Sequence, residues 1–186
     1  MNVRLLRWAV VGLIAAGALA FIALGANGPK DPSLRPAAGE VSLNRTPFGD
    51  FSEIAFRIEG GAAAQNRAQA TAARCALLAE TGEQQSQGLM KRTDLGGYDG
   101  MLFKFATDNE GGFWMKATPL PISIAFFDAT GQFVSTTDMA PCIHQASCPT
   151  YSAARPYRWA LEVPQGALPR LGIGPGSRLV AGGACT

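Results

Sequence analysis

The regular interruption of short apolar runs by glycine and proline is the feature that most limits how this chain folds. The 186 residues include 22 Gly and 12 Pro, and several runs between them alternate large apolar residues with smaller or polar ones. This period of two is the pattern of half-buried strands. Many short strands separated by turns predict a mainly β domain, either a small β-sandwich or a barrel.

Seven segments carry the strand pattern: residues 52–58, 75–81, 100–105, 121–128, 132–139, 157–163 and 177–185. The Ala-Thr-Gly sequence at 129–131 predicts a hairpin between the fourth and fifth of them. Leu168, Leu171 and Ile173 recur near helical spacing. They predict one short helix before the last strand.

An apolar segment near the N-terminus predicts export. Residues 8–26 contain no charged side chain, and Arg4 and Arg7 precede them. A helix of that length spans roughly 28 Å, close to the hydrocarbon thickness of a bilayer. The preceding basic residues favour a cytoplasmic start. The segment is predicted to be an uncleaved transmembrane anchor, with a cleaved signal peptide as the alternative.

These boundaries divide the chain into four parts: a cytoplasmic start at 1–7, the anchor or signal at 8–26, a flexible linker at 27–48 and an extracytoplasmic β domain at 49–186. The predicted location is the cell membrane with the domain outside, or secretion if the segment is cleaved. The membrane is the one partner predicted. Nucleic-acid binding is not expected, because the net charge is +2 and the basic residues do not cluster.

The four cysteines predict two disulfides, because an exported domain folds in an oxidising compartment. Cys142 and Cys148 lie six residues apart between two prolines, which suits a local bridge, and Cys75 and Cys185 then pair by elimination. A metal site of Cys142, His144 and Cys148 lacks an evident fourth ligand. Neither a metal nor another cofactor is therefore predicted.

The stretch around Trp114, Lys116 and Thr118 gives one candidate ligand site. The three residues share strand parity, so an indole, an ammonium and a hydroxyl are expected on one face. Such a set suits a small anionic or sugar-like ligand. The alternative is a core strand whose lysine reaches to solvent.

Glu162 is the second candidate, because it interrupts the apolar strand 157–163. A carboxylate buried there needs a partner, and Arg92 or Lys116 is the predicted one. The pair is either a structural ion pair or part of a site. His144, the one histidine of the chain, is predicted to be an exposed loop residue. Asp128 and Asp138 are predicted to be turn or cap residues.

Three blocks, at 88–105, 113–128 and 157–179, occur in an order and spacing that resemble the domain-of-unknown-function 192 family. The resemblance covers about residues 75–180 and implies a compact, jelly-roll-like β domain without an established reaction. It also points to an exported, actinobacterial subgroup. The matching positions are Gly88, Leu89, Met90, Arg92, Gly100, Met101, Leu102, Phe103, Phe113, Trp114, Met115, Lys116, Thr118, Pro121, Leu161, Glu162 and Gly166.

Three positions depart from the pattern that the resemblance implies. The family often has Arg where this chain has Gln85, Asn where it has Ala117, and Asp where it has Ser123. A site built on that Arg and Asp is therefore missing from this chain.

Two classes of function follow. The first is a non-catalytic extracytoplasmic binding or accessory module, whose small ligand or protein partner the sequence does not identify. The second is a small hydrolase or carbohydrate-active enzyme that uses Glu162 with Arg92 or Lys116. The missing Arg and Asp, and a single histidine placed in a loop, favour the first class.

Overall fold

The computed structural model describes residues 44–61 and 72–186. The predicted anchor at 8–26 and most of the predicted linker lie outside the described residues. Within the described part, no helix is long and apolar enough to cross a membrane. The anchor, the signal peptide and the domain boundaries therefore stay predictions.

The described residues form nine strands, one α-helix and one 3-10 turn. The strands are β1 (Ser52–Gly60), β2 (Arg74–Ala79), β3 (Gly100–Asn109), β4 (Phe113–Trp114), β5 (Ile122–Phe127), β6 (Phe133–Met139), β7 (Thr150–Tyr151), β8 (Tyr157–Pro164) and β9 (Ser177–Ala181). The helix α1 spans Gly82–Gln87, and the 3-10 turn η1 spans Pro169–Leu171. The prediction of a mainly β domain is confirmed.

Seven strands form one sheet in the order β6-β5-β8-β3-β2-β1-β9, and β4 pairs with β7 in a separate ribbon. Neighbouring strands are antiparallel except β2 and β3, which are parallel. The sheet curls so that β9 returns to the β5–β6 turn, where the Leu179 N–H donates to the Gly131 carbonyl at 2.8 Å. The result is a half-barrel rather than two stacked sheets.

Gly131 is required at this closure. Its φ is +82°, and a Cβ there would lie 2.2 Å from the Leu179 carbonyl oxygen. Only a residue without a side chain allows the two edges of the sheet to approach this closely. The predicted hairpin at 129–131 therefore also closes the half-barrel.

The two faces of the sheet bury two separate apolar clusters, because successive side chains of a strand point to opposite sides. We call one the plugged face, since residues 167–173 cover it; its members include Phe56, Leu102, Phe127, Leu161 and Val163. We call the other the cleft face; its members include Leu77, Met101, Phe103, Ile124 and Phe126. Residues around β4 pack against the cleft face.

The helical elements match the sequence prediction in one of two places. The turn predicted near Leu168–Ile173 is present as η1, whereas α1 was not predicted. A sequence signal for α1 exists, because Thr81 and Gln84 form a capping box: the Gln84 N–H donates to Thr81 Oγ1 at 3.2 Å, and the Thr81 N–H donates to Gln84 Oε1 at 3.1 Å.

Both predicted disulfides are present. Cys75 is bonded to Cys185, with Cα atoms 5.4 Å apart, and Cys142 to Cys148, with Cα atoms 5.9 Å apart. Cys75 and Cys142 are buried in the cluster of the cleft face, and their partners pack against it. Both covalent cross-links therefore brace the same side of the sheet.

Candidate functional site

A cleft opens on the cleft face between α1 and β4. Its outer part has a volume of about 370 Å³, and a smaller inner part has about 30 Å³. The two parts adjoin, since they share the lining residues Gln85, Ser86, Phe103, Phe113 and Trp114. We call the whole the Glu162 cleft, because Glu162 lines its inner part.

Aromatic rings form the walls of the Glu162 cleft. The Phe103 and Phe113 rings meet edge to face with centroids 4.9 Å apart, and Tyr157 lines the outer part. The Tyr157 hydroxyl donates to the Gly111 carbonyl and accepts from the Asn109 amide, both at 2.7 Å. Burial raises the pKa of Tyr157 to about 12, so the hydroxyl stays neutral. The walls are therefore packed and held in place without a ligand.

Glu162 lies in β8, in register with Met101 of β3 and Ile124 of β5. It is only 5% exposed, and within residues 44–61 and 72–186 its carboxyl has no hydrogen bond or ion pair. Burial raises the pKa of Glu162 from its ordinary 4.5 to about 8. The side chain is therefore a neutral acid near pH 7, able to donate a hydrogen bond or to lose its proton to a suitable ligand.

Trp114, Lys116 and Thr118 are not arranged on one face as predicted. Trp114 is 52% exposed at the cleft, and the Lys116 ammonium lies 5.7 Å from the centroid of its ring. Thr118 is buried and lines the inner part instead. The parity fails because Ala117 has a φ of +54° and the Thr118 N–H closes a turn onto the Met115 carbonyl at 3.0 Å. Strand alternation ends there.

The ion pair predicted between Glu162 and Arg92 or Lys116 is not formed. The Arg92 guanidinium lies 3.1 Å from an Asp94 oxygen and 3.8 Å from the centroid of the Phe48 ring. Asp94 is two residues away along the chain, so this local partner holds the guanidinium. Neither Arg92 nor Lys116 lines the inner part of the cleft.

The other ionisable residues considered from the sequence lie outside the cleft. Partial burial of Asp128 is outweighed by hydrogen bonds from Thr130 and Gln132, at 2.8–3.0 Å, so its pKa is lowered. These bonds stabilise the β5–β6 turn, as predicted for a turn residue. Asp138 lies within β6 and not in the predicted turn or cap, and it accepts from Ser123 Oγ at 2.5 Å. His144 is exposed in the 142–148 loop.

The three departures from the resembled family have different surroundings. Gln85 lines both parts of the cleft, and its amide donates to the Lys104 carbonyl at 2.7 Å. Ala117 provides the positive φ at the turn. Ser123 lies on the plugged face. Gln85 is the site residue that sequence reasoning missed: it was noted only as a missing Arg, and the unpredicted α1 places it in the cleft.

One further cluster has the residue types of a metal site. Ligand atoms of Glu53, Cys75 and Cys185 lie within 4.8 Å of one another, and no second such cluster of His, Cys, Asp or Glu occurs in the described parts of the chain. The two sulfurs are bonded to each other, so they are not free thiolates. The Glu53 carboxylate instead accepts a hydrogen bond from the Tyr98 hydroxyl.

Comparison with known proteins gives one family match and two structural matches. The model of the DUF192 family, described as "Uncharacterized ACR", matches residues 63–181. A crystal structure from Sinorhizobium meliloti 1021, named as a candidate transcription regulator, is 27% identical with a TM-score of 0.59, covering 73% of this chain and 98% of its own. A protein of unknown function from Novosphingobium aromaticivorans DSM 12444 is 26% identical with a TM-score of 0.54, covering 70% and 84%. No curated protein matches the chain.

Proposed function

Because the chain belongs to the DUF192 family, whose description names no activity, we propose a function from the cleft itself: a non-catalytic module that binds a small ligand at Glu162. The observation that carries this function is the buried carboxyl of Glu162, which lines the cleft without a protein partner among the described residues. A buried polar group without a partner is costly. An apolar cleft with one such group is the usual form of a small-molecule site.

A hydrolase or carbohydrate-active enzyme that uses Glu162 has less support. Acid–base chemistry on a glycosidic bond needs two carboxyl groups across the substrate, and Glu162 is the one carboxyl group among the described lining residues of the cleft. Neither Arg92 nor Lys116 joins it in the inner part. His144 is exposed in the disulfide loop, so no histidine of the described lining serves as a base.

We also propose that the domain works outside the cytoplasm, held by residues 8–26 or released by their cleavage. Two disulfides support an oxidising compartment. Fractionation of cells tests the anchor: the intact chain should sediment with membranes and expose the domain to added protease. A soluble mature chain that begins near residue 26 would reject the anchor in favour of a signal peptide.

Binding is tested by a ligand-observed NMR screen of small molecules against the full chain. We expect hits whose signals are lost or weakened at least tenfold with Glu162→Gln. The matched control is Glu110→Gln, the same substitution at an exposed position beside Gly111 of the cleft. Compounds that bind both variants as tightly as they bind the original chain would contradict a site at Glu162.

A further inference from the structure

We propose that the ligand of the Glu162 cleft is a primary ammonium compound with an apolar or aromatic stem, whose ammonium group pairs with the Glu162 carboxylate. This ligand class rests on the binding function proposed above and makes it specific. It follows from three properties of the cleft: its charge, the size of its inner part and the character of its walls.

The charge of the cleft favours a cation. Among the described lining residues no Lys, Arg or His is present, and Glu162 is the one carboxyl group. An anionic ligand would be buried there without a counter-charge. A cation instead gains the carboxylate and the negative ring faces of the walls, such as those of Phe113 and Trp114. The ammonium of Lys116 over the Trp114 ring shows that this indole already accepts a cation.

The size of the inner part favours an ammonium over a guanidinium. About 30 Å³ is available beside Glu162, which is room for roughly two water-sized groups. An ammonium group and its first methylene match that number of heavy atoms. A guanidinium has four heavy atoms in a plane, so it would be held in the wider outer part, away from the carboxyl.

The walls of the outer part favour an apolar stem. Two of the polar side chains there already have protein partners: the Tyr157 hydroxyl donates to the Gly111 carbonyl and accepts from the Asn109 amide, and the Gln85 amide donates to the Lys104 carbonyl. The Phe103, Phe105 and Phe113 rings make up much of the rest. A stem of methylenes or a phenyl ring therefore fits without leaving polar groups unpaired.

A proton must leave Glu162 when an ammonium binds. The residues that line the inner part beside Glu162 are uncharged, and Lys116 and Lys104 of the neighbouring segment and strand do not line it. Burial is the cause that raises the pKa of Glu162 to about 8. Below that pH, each unit of rise should strengthen ammonium binding about tenfold. The strengthening should level off above about pH 8, until the amine itself loses its proton near pH 10.

The test is calorimetric titration of the full chain with 2-phenylethylamine and two matched probes, the neutral 2-phenylethanol and the anionic 3-phenylpropanoate. We expect the amine to bind at least tenfold more tightly than either at pH 7.5, and its affinity to rise about tenfold from pH 6 to pH 7. Glu162→Gln should remove this preference, while Glu110→Gln should leave it unchanged.

The variant Gln85→Arg gives a second test, because it adds a guanidinium to the inner part of the cleft, which Gln85 and Glu162 both line. The added cation should weaken amine binding at least tenfold and should change the affinity for 2-phenylethanol by less than about twofold. Melting temperatures show whether each variant is folded. If Gln85→Arg unfolds the chain, the pH series with the original chain still decides the outcome.

Two results would overturn the ligand class. Tighter binding of 3-phenylpropanoate, with affinity that falls as pH rises, would mean that the protonated acid receives an anion. Equal binding of amine and alcohol would mean that only the apolar walls act. If another screened compound depends on Glu162 while no amine does, the ligand class fails and the binding function stands. If no compound depends on Glu162, both fail.

Discussion

The two faces of the half-barrel differ in one buried polar group, since Glu162 on the cleft face lacks a partner among the described residues whereas Ser123 and Ser177 on the plugged face have partners. On the plugged face, Ser123 is 1% exposed, donates to Asp138 at 2.5 Å and accepts from the Gly166 N–H at 2.9 Å. Ser177 is equally buried and donates to the Gly174 carbonyl at 2.6 Å. On the cleft face, Glu162 is buried without a partner among the described residues. The hydrogen bonds of Ser123 and Ser177 therefore support the fold on the plugged face, whereas the unpartnered Glu162 is the group to which the proposed binding function is assigned.

The faces also differ in what holds them together. The plugged face relies on apolar packing that residues 167–173 complete, whereas both disulfides lie on the cleft face. A buried acid and a cleft weaken the packing of that face. Covalent cross-links offset such a loss chiefly by restricting the unfolded chain. Both disulfides thus lie on the side of the sheet that carries the cleft.

The largest effect is expected from removing the long-range brace of the cleft face. The Cys75–Cys185 bridge spans 110 residues and the Cys142–Cys148 bridge spans six. Loop entropy assigns about 5 kcal/mol to the first and about 2 kcal/mol to the second. We expect the double variant Cys75→Ser, Cys185→Ser to unfold at much lower urea concentration than Cys142→Ser, Cys148→Ser.

Double variants avoid a free thiol that would form new bridges, and peptide mapping of the non-reduced chain checks the connectivity. Equal denaturation midpoints for the two variants would mean that the bracing of the cleft face does not depend on loop length. A bridge between Cys142 and either Cys75 or Cys185 would contradict the structure directly.

The second effect comes from the unpartnered acid. The folded chain keeps the Glu162 proton up to about pH 8, whereas the unfolded chain releases it near 4.5. The unfolded state therefore binds fewer protons between these values, and the free energy of unfolding falls as pH rises through this window, by about 1.4 kcal/mol per unit. From pH 5 to pH 7.5 the loss is about 3 kcal/mol. Glu162→Gln should abolish it.

This expectation reverses the one from sequence. An ion pair with Arg92 or Lys116 would have made Glu162→Gln destabilising near neutral pH, because the substitution would leave a buried cation unpaired. Urea unfolding of both chains across the pH series separates the two cases. Parallel pH profiles of the original chain and Glu162→Gln would show that Glu162 has a partner in solution.

The third effect probes the plugged face. Ser123→Ala removes a hydroxyl that Gly166 and Asp138 both use, which leaves a backbone N–H and a carboxylate with one partner fewer. We expect a loss of about 1–3 kcal/mol, measured as a shift in the urea midpoint. The control, Thr136→Ala, lies at an exposed position of β6 and should change stability by less than about 0.5 kcal/mol. Equal stabilities of Ser123→Ala and Thr136→Ala would mean that the hydrogen bonds of Ser123 do not stabilise the plugged face.

Sequence patterns were sufficient for the seven strands of the main sheet and for the disulfides, but not for the β4–β7 ribbon or the cleft. Alternation located β5 and β8 to within a residue or two, because one pleated pattern determines both the strand and its buried faces. The cysteines paired as predicted because spacing and number left one plausible arrangement. Both inferences need only local spacing and a count.

The cleft required long-range information. Gln85 reaches the cleft because α1 lies over β3, where the Gln85 amide donates to the Lys104 carbonyl. The opposite wall, β4, pairs with β7 from a segment 36 residues further along the chain. Thr118 lies there because the turn at Ala117 breaks the strand parity. The missing partner of Glu162 has a local cause instead, since Arg92 pairs with Asp94 two residues further along the chain. Sequence identified Glu162 itself, as an acid in an apolar strand.

The smallest effect on stability is expected at the mouth of the cleft. Trp114 is 52% exposed and lies in a two-residue strand at the edge of the ribbon. Its ring lies near Lys116 rather than in either buried cluster, so Trp114→Ala should change the free energy of unfolding by less than about 0.5 kcal/mol. The same variant should weaken amine binding about two- to thirtyfold, because an exposed or partly desolvated cation–π contact contributes about 0.5–2 kcal/mol.

Comparing Trp114→Ala with Trp114→Phe separates area from ring electrostatics. Trp114→Phe keeps an aromatic face, so most of the affinity for 2-phenylethylamine should be retained. Lys116→Gln should slightly strengthen binding of 2-phenylethylamine, because it removes a competing cation from the Trp114 ring. Thermal melts and titrations on the same samples check both properties. A large loss of stability with Trp114→Ala would instead show that Trp114 supports the fold. The contrast between a stabilising plugged face and a cleft face proposed to bind a ligand would then not extend to the edge of the cleft.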